Sequence, residues 1–207
     1  MIPSPSNIEA IPAIAPGGWR YARVPLVCSI PFGILSPPIA VGCLLLAIGI
    51  LWFHRDPKRS PPPSGIVAPA DGRVSVIRTE GERVRVAVFM NVTDVHVNRA
   101  PAAGTVRTVE HTPGKHLPAF SKESERNERV RIECEDYEVT LIAGAVARRI
   151  HPYIEVEDDL ERGERIGHIS FGSRADVLLP ARYDIEDVRV ETGQKVRSGE
   201  TVIAAQL

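Results

Sequence analysis

The sequence is poor in groups that many functions require. Lysine occurs only at Lys58, Lys115, Lys122 and Lys195, which leaves few residues for an imine with a carbonyl cofactor or for a carrier modification. Aromatic residues make up 5% of the 207, and the formal net charge is -1. A basic surface interleaved with stacking platforms, as nucleic-acid binding needs, is therefore excluded. The three cysteines, Cys28, Cys43 and Cys134, form an odd set with neither disulfide nor metal-ligand spacing. A metal-free protein whose folded domain faces a reducing compartment is expected.

Charge is missing altogether from Val24 to Phe53, "VPLVCSIPFGILSPPIAVGCLLLAIGILWF". One helix of that length would span a bilayer, but Pro37-Pro38 removes backbone donors in its middle. Two apolar pieces of unequal length are predicted, and the second, Ile39 to Phe53, is short for an upright span. Arg20 and Arg23 precede the run; Arg55, Lys58 and Arg59 follow it. Basic residues on both sides give no asymmetry to orient a single pass and suit a hairpin that dips in and returns. A helical pair buried in a soluble domain is the alternative. A cleaved signal ending at "AVGC" is disfavoured because the apolar run continues beyond Cys43.

Three regions follow: a flexible tail over 1–18, a membrane-associated apolar hairpin with a basic linker over 19–60, and a β domain over 61–207. The linker ends in "SPPPSG", a run of turn and breaker residues. Beyond it, "GRVSVIRTEGERVRVAVFM" alternates around Glu80-Gly81 as a hairpin does. Strands are predicted at 104–110, 129–134, 137–145, 165–171, 174–180, 186–190 and 201–205, with a helix as an option over 141–151. Many short strands with glycine-containing turns predict a mainly β, compact barrel-sandwich fold. The closing stretch "VRVETGQKVRSGETVIAAQL" looks like the hairpins of lipoyl- and biotinyl-type domains, but Lys195 is not in the setting of a carrier lysine.

Polar residues that interrupt this β pattern are the candidate site. "PADG" places Asp71 in a turn, "TDVHVNRAP" places His96 between apolar neighbours, "NERV" opens a strand with Asn127, and "FGSR" supplies Gly172-Ser173. Singly, each has an ordinary reading as a turn, a packed strand residue or a bulge. Together, "FHRDPKR", "VAPADGRV", "FMNVTDVHVNRAPAAGTV", "NERV", "AGAVARRI" and "GERIGHISFGSRADVLLP" occur in an order that resembles the short form of the phosphatidylserine decarboxylases, from about Trp52 to the C-terminus.

The resemblance implies self-cleavage between Gly172 and Ser173. The serine would become a pyruvoyl group, the covalent cofactor, with no pyridoxal phosphate and no metal. Fragments 1–172 and 173–207 would stay associated, and a Schiff base to the pyruvoyl would carry phosphatidylserine to phosphatidylethanolamine. His96 is the expected proton-transfer group, with Asp71 orienting or charging it; Arg99 stands where longer relatives carry a second histidine. Arg148, Arg149 and His116 are candidate substrate contacts in "AVARRI" and "GKHLPAF". His168 is set aside because strand alternation puts it on the face opposite Ser173. The expected partners are the lipid substrate, anionic membrane lipid and, as a candidate assembly, further copies of the chain; the expected location is the cell membrane, with the catalytic domain on the cytoplasmic side. Two other readings stand beside this one: a membrane-tethered barrel-sandwich binding module without chemistry, and a pyruvoyl decarboxylase of a soluble amino acid.

Overall fold

The computed structural model describes residues 13–114, 126–144, 149–169 and 173–206. They fall into two compact units, divided between Lys58 and Arg59.

The first unit is a helical hairpin. α1 (Gly18–Leu35) and α2 (Pro37–Phe53) pack against each other, and the short strands β1 (Ala13–Ile14) and β2 (Arg55–Asp56) pair antiparallel. Pro37 and Pro38 open α2, where the first-turn amides have no helical partner and proline costs little. The same pair prevents α1 from continuing. Small residues make the contact: Ala22, Ala40 and Ala47 are buried, whereas Ile30, Ile34, Leu35, Leu45 and Ile48 are exposed. At 1.5 Å per residue the two helices are about 27 and 25 Å long, and among the described residues no helix is long and apolar enough to cross a membrane.

The second unit is almost entirely β. Its strands are β3 (Ile66–Val67), β4 (Gly72–Glu80), β5 (Arg83–Phe89), β6 (Val97–Arg99), β7 (Gly104–Thr112), β8 (Arg129–Cys134), β9 (Glu138–Ile142), β10 (Ile150–Pro152), β11 (Asp159–Leu160), β12 (Arg165–Ile169), β13 (Arg174–Leu178), β14 (Lys195–Val196) and β15 (Val202–Ala204). Eight form one curled sheet in the order β11-β7-β8-β9-β13-β5-β4-β14; β10-β12-β6 and β15-β3 form smaller sheets. All pairings are antiparallel. The mainly β expectation holds, but the large sheet is open at β11 and β14 instead of closing into a barrel. Its core is the inward set Val74, Val86, Val88, Val130, Ile132, Val139, Leu141, Ala175 and Val177, all essentially water-free, the alternate positions that a pleated strand aims at one face.

Several boundaries differ from the prediction. The strand expected at 186–190 is a 3-10 turn, Ile185–Asp187, closed by a reciprocal cap between Asp184 and Asp187; only Val188 makes an isolated bridge, to Ala204. Local carboxylate-to-amide bonds of this kind compete with strand pairing. β9 runs to Ile142, and the Ala143 amide still bonds the Glu128 carbonyl, the next pair in the β8 register. The optional helix over 141–151 gives way to strand at 141–142 and from 150, and residues 145–148 lie outside the described residues.

Candidate active site

Ser173 stands where the chain passes between sheets. β12 ends at Ile169 in the three-stranded sheet, and β13 begins at Arg174 in the middle of the curled sheet, paired with β5 and β9. Ser173 itself is 0% exposed. Its carbonyl accepts the Met90 amide at 2.8 Å, and its hydroxyl donates to Met90 Sδ at 3.8 Å. A thioether is a weak acceptor, so this nucleophilic side chain is buried with little to hold it. Gly172 lies outside the described residues, as do Arg148 and His116.

His96 is buried just before β6, with Nδ1 2.9 Å from the Asp94 carbonyl. A carbonyl only accepts, so Nδ1 carries a proton and donates it here; in the neutral ring of this tautomer Nε2 is the basic nitrogen. The backbone ties this residue to the segment leading into Ser173, since the Ile169 amide donates to the His96 carbonyl at 3.2 Å. The Asp94 carboxylate accepts the Asn91 amide, fixing the turn between Met90 and His96.

Asp71 is held differently from the expectation. Both of its oxygens accept from Arg59 Nη2 at 2.8 Å, and Oδ1 also accepts the Ser198 amide; its hydrogen bonds go there and not to His96. Arg59 reaches Glu200 as well. Gly72, next in the chain, has φ +149°, and a Cβ there would lie 2.1 Å from the Phe89 carbonyl oxygen. Only glycine allows the Asp71 turn to meet β5 so closely. The corner is linked to β6 through Ser198, whose hydroxyl lies 3.4 Å from the carbonyls of Pro69 and Val97, and through the Arg99 amide bonded to the Pro69 carbonyl. Arg99, in the place of a second histidine, sends Nη1 to the Gly163 carbonyl at 2.9 Å.

Other polar features surround these groups. Asn127 is buried and donates Nδ2 to the Ala143 carbonyl, bracing the strand beside β13. His168 is buried, stacks on His151 with ring centroids 4.6 Å apart and lies 2.6 Å from the Tyr153 hydroxyl. A cavity of about 590 Å³ is lined by His111, Glu128, Arg149 and His151, so Arg149 borders an open space. A second groove, bordered by Arg85, Arg131, Arg174, Glu80, Glu138 and Asp176, has its charges already paired along the sheet. There the Arg85 hydrogen bond holds the Glu80 carboxyl below its ordinary pKa. Among the described residues no group of three or more His, Cys, Asp or Glu side chains is placed to hold a metal.

Sequence reasoning missed Met90, Asn98 and Arg59. Met90 is the single internal methionine, and Asn98 is the uncharged amide of "VHVNRAP"; neither signals which side chain it meets. Arg59 was read as part of a membrane-proximal basic cluster because the sequence cannot place it against Asp71, twelve residues on.

A buried serine at a sheet crossing, a buried histidine just before β6, and an acidic turn tied to that strand through Ser198 make up a candidate enzyme site. The sequence profile of the phosphatidylserine decarboxylases matches residues 46–204. A Halobacterium salinarum protein that bears the name archaetidylserine decarboxylase proenzyme as a provisional one is 61% identical over 193 residues, covering 93% of this chain and 98% of its own length. Phosphatidylserine decarboxylase proenzymes of Streptomyces coelicolor and Thermobifida fusca are 51% and 54% identical, over 80% and 79% of this chain and 77% and 76% of theirs. The chain belongs to the phosphatidylserine decarboxylase family and is a decarboxylase.

Proposed function

We propose that this enzyme cleaves its own chain between Gly172 and Ser173 and then removes CO2 from the serine headgroup of a membrane phospholipid. The observation that carries the proposal is Ser173, buried, weakly held and followed by a strand fixed on both sides. In the cleavage, Ser173 Oγ adds to the Gly172 carbonyl carbon, the peptide C–N bond breaks, and an ester with a free amine results. Loss of the Ser173 α-proton then breaks the Cβ–O bond; Gly172 leaves as a carboxylate, and addition of water with release of ammonia leaves a pyruvoyl group on residue 173. His96 Nε2 is the base assigned to the hydroxyl proton.

The surroundings suit that group. Once Oγ has left with Gly172, the Cβ of residue 173 is a methyl, and Met90 Sδ is an apolar, polarisable neighbour for it. When formed, the pyruvoyl supplies a carbonyl that condenses with the substrate amine and withdraws the electron pair released as CO2 departs. The chain supplies the rest: burial excludes water, His96 holds and returns a proton, and Asp71 fixes β6 through Ser198. Arg149, beside the cavity with His111 and His151, is assigned to the lipid phosphate. Fragment 173–207 stays attached because β13, β14 and β15 pair with β5, β9, β4 and β3 of the larger fragment.

The hairpin is assigned to the membrane. Small residues between the helices and large apolar ones outside are the arrangement expected where lipid is the solvent. Trp19, Tyr21 and Trp52 lie near the open end with Arg20, Arg23 and Arg55, as residues of a membrane interface do. A hairpin that enters and returns leaves the β domain on the side of its basic residues, the cytoplasmic side. The names of the relatives differ in the lipid tail and share the serine headgroup, where all the chemistry occurs; phosphatidylserine and its archaetidyl counterpart are both candidate substrates.

Intact mass spectrometry of the full-length wild type and Ser173→Ala tests the reading. The expected wild type is two pieces, the smaller comprising residues 173–207 with a blocked N-terminus, and the variant is whole. A whole, inactive wild type would return the non-catalytic binding module to first place.

A further inference from the structure

Asn98 carries an unexplained cost in the uncut chain. It is 0% exposed, its Nδ2 meets only Met90 Sδ at 3.7 Å, and its Oδ1 has no hydrogen-bond partner among the described residues. Whichever way the amide is turned, one polar atom faces a sulfur and the other has no hydrogen-bond partner among the described residues. Burying such a group unsatisfied is unfavourable, and an apolar residue of the same shape would fit better. The sulfur that Asn98 meets is the one that holds the Ser173 hydroxyl at 3.8 Å. The two most weakly satisfied polar side chains of this region thus share one thioether, and β6 points Asn98, not Arg99, at Met90.

We infer that Asn98 is the hydrogen-bonding partner of the Ser173 hydroxyl during self-cleavage. This rests on the self-cleavage reading above. When Oγ swings off the sulfur to add to the Gly172 carbonyl, Nδ2–H of Asn98 donates to it. The donor stabilises the negative charge that builds on Oγ as its proton passes to the base, and fixes the direction from which Oγ attacks. In the resting chain that donor is idle, as a preorganised donor is before its charge develops.

Three full-length variants followed by intact mass spectrometry over time decide the matter. Asn98→Leu removes the amide and keeps its volume; it is expected to melt at or above the wild-type temperature while cleaving roughly 10- to 100-fold more slowly. Asn98→Asp donates only when protonated, and burial raises its pKa. Its cleavage is expected to fall as pH rises through that pKa, whereas the wild-type carboxamide does not titrate and the wild type shows no such fall. Asn98→Gln, which keeps the donor on a longer arm, is expected to cleave faster than Asn98→Leu. An Asn98→Leu variant that cleaves at the wild-type rate overturns the assignment. If that variant does not fold, a wild-type pH profile in Asn98→Asp overturns it equally. Failure of the underlying reading looks different, because then the wild type itself stays whole.

Discussion

The corners on either side of β6 are built on opposite terms. At the Asp71 corner every charge is answered: Arg59 grips both carboxylate oxygens, Glu200 shares the guanidinium, and Ser198 adds its amide. At the Ser173 corner a hydroxyl and a carboxamide, equally buried, share one sulfur. The same strand thus separates a corner whose charges are paired from one whose polar side chains rest on a thioether. The difference teaches where chemistry can happen: a nucleophile locked into strong hydrogen bonds must break them before it reacts, and one resting on a thioether has almost nothing to lose.

Substitutions at each corner should therefore fail in different ways. The largest effect is expected at His96, where His96→Gln should slow self-cleavage by about 10²- to 10⁴-fold and leave the urea midpoint nearly unchanged; a large stability loss with normal cleavage would move His96 to the structural corner. Next comes Arg59→Leu, which leaves the half-buried Asp71 carboxylate without its cation and should cost about 1–3 kcal/mol in denaturant unfolding. Adding Asp71→Leu should restore much of that loss, because an ion pair withdrawn from water gains little over packed apolar residues; a double variant no better than the single would mean that Asp71 serves more than its ion pair. Ser173→Ala, by contrast, should change stability by less than about 1 kcal/mol while ending cleavage.

The smallest effect sharpens the comparison at a neutral group. Tyr137 is buried and donates to the Ala102 carbonyl at 2.9 Å, and burial pushes its phenol well above the ordinary value of about 10. The native state then keeps a proton that the unfolded chain loses, so stability should decline as pH rises beyond about 10. Tyr137→Phe should remove that part of the alkaline decline and lower stability at neutral pH by about 1 kcal/mol. Unchanged alkaline melting curves would place the titration elsewhere, first at Cys134, whose thiol is also pushed up by burial.

Much of this was legible in the order of residues. Alternation in "GRVSVIRTEGERVRVAVFM" located β4 and β5, and the proline pair located the joint of the helical hairpin. "FGSR" followed by "ADVLLP" marked Ser173 and β13. The turn at Ile185–Asp187 was misread because its apolar residues resemble a strand, while the Asp184–Asp187 cap that decides the matter is a side-chain effect. Asp71 was read as a partner of His96, yet its hydrogen bonds come from Arg59 and Ser198, 12 and 127 residues away, contacts that no local pattern in the chain announces.

The sequence by itself determined the family, most strand-forming segments and the proline-broken apolar run that folds as two helices, because these rest on local pattern and on motif order. Only the tertiary structure decided that Ser173 is buried against Met90, that Asn98 and not Arg99 meets that sulfur, and that Asp71 is held by Arg59. Those relations depend on which strands pair and in what register, and a shift of one residue in β6 would exchange the side chains facing Met90.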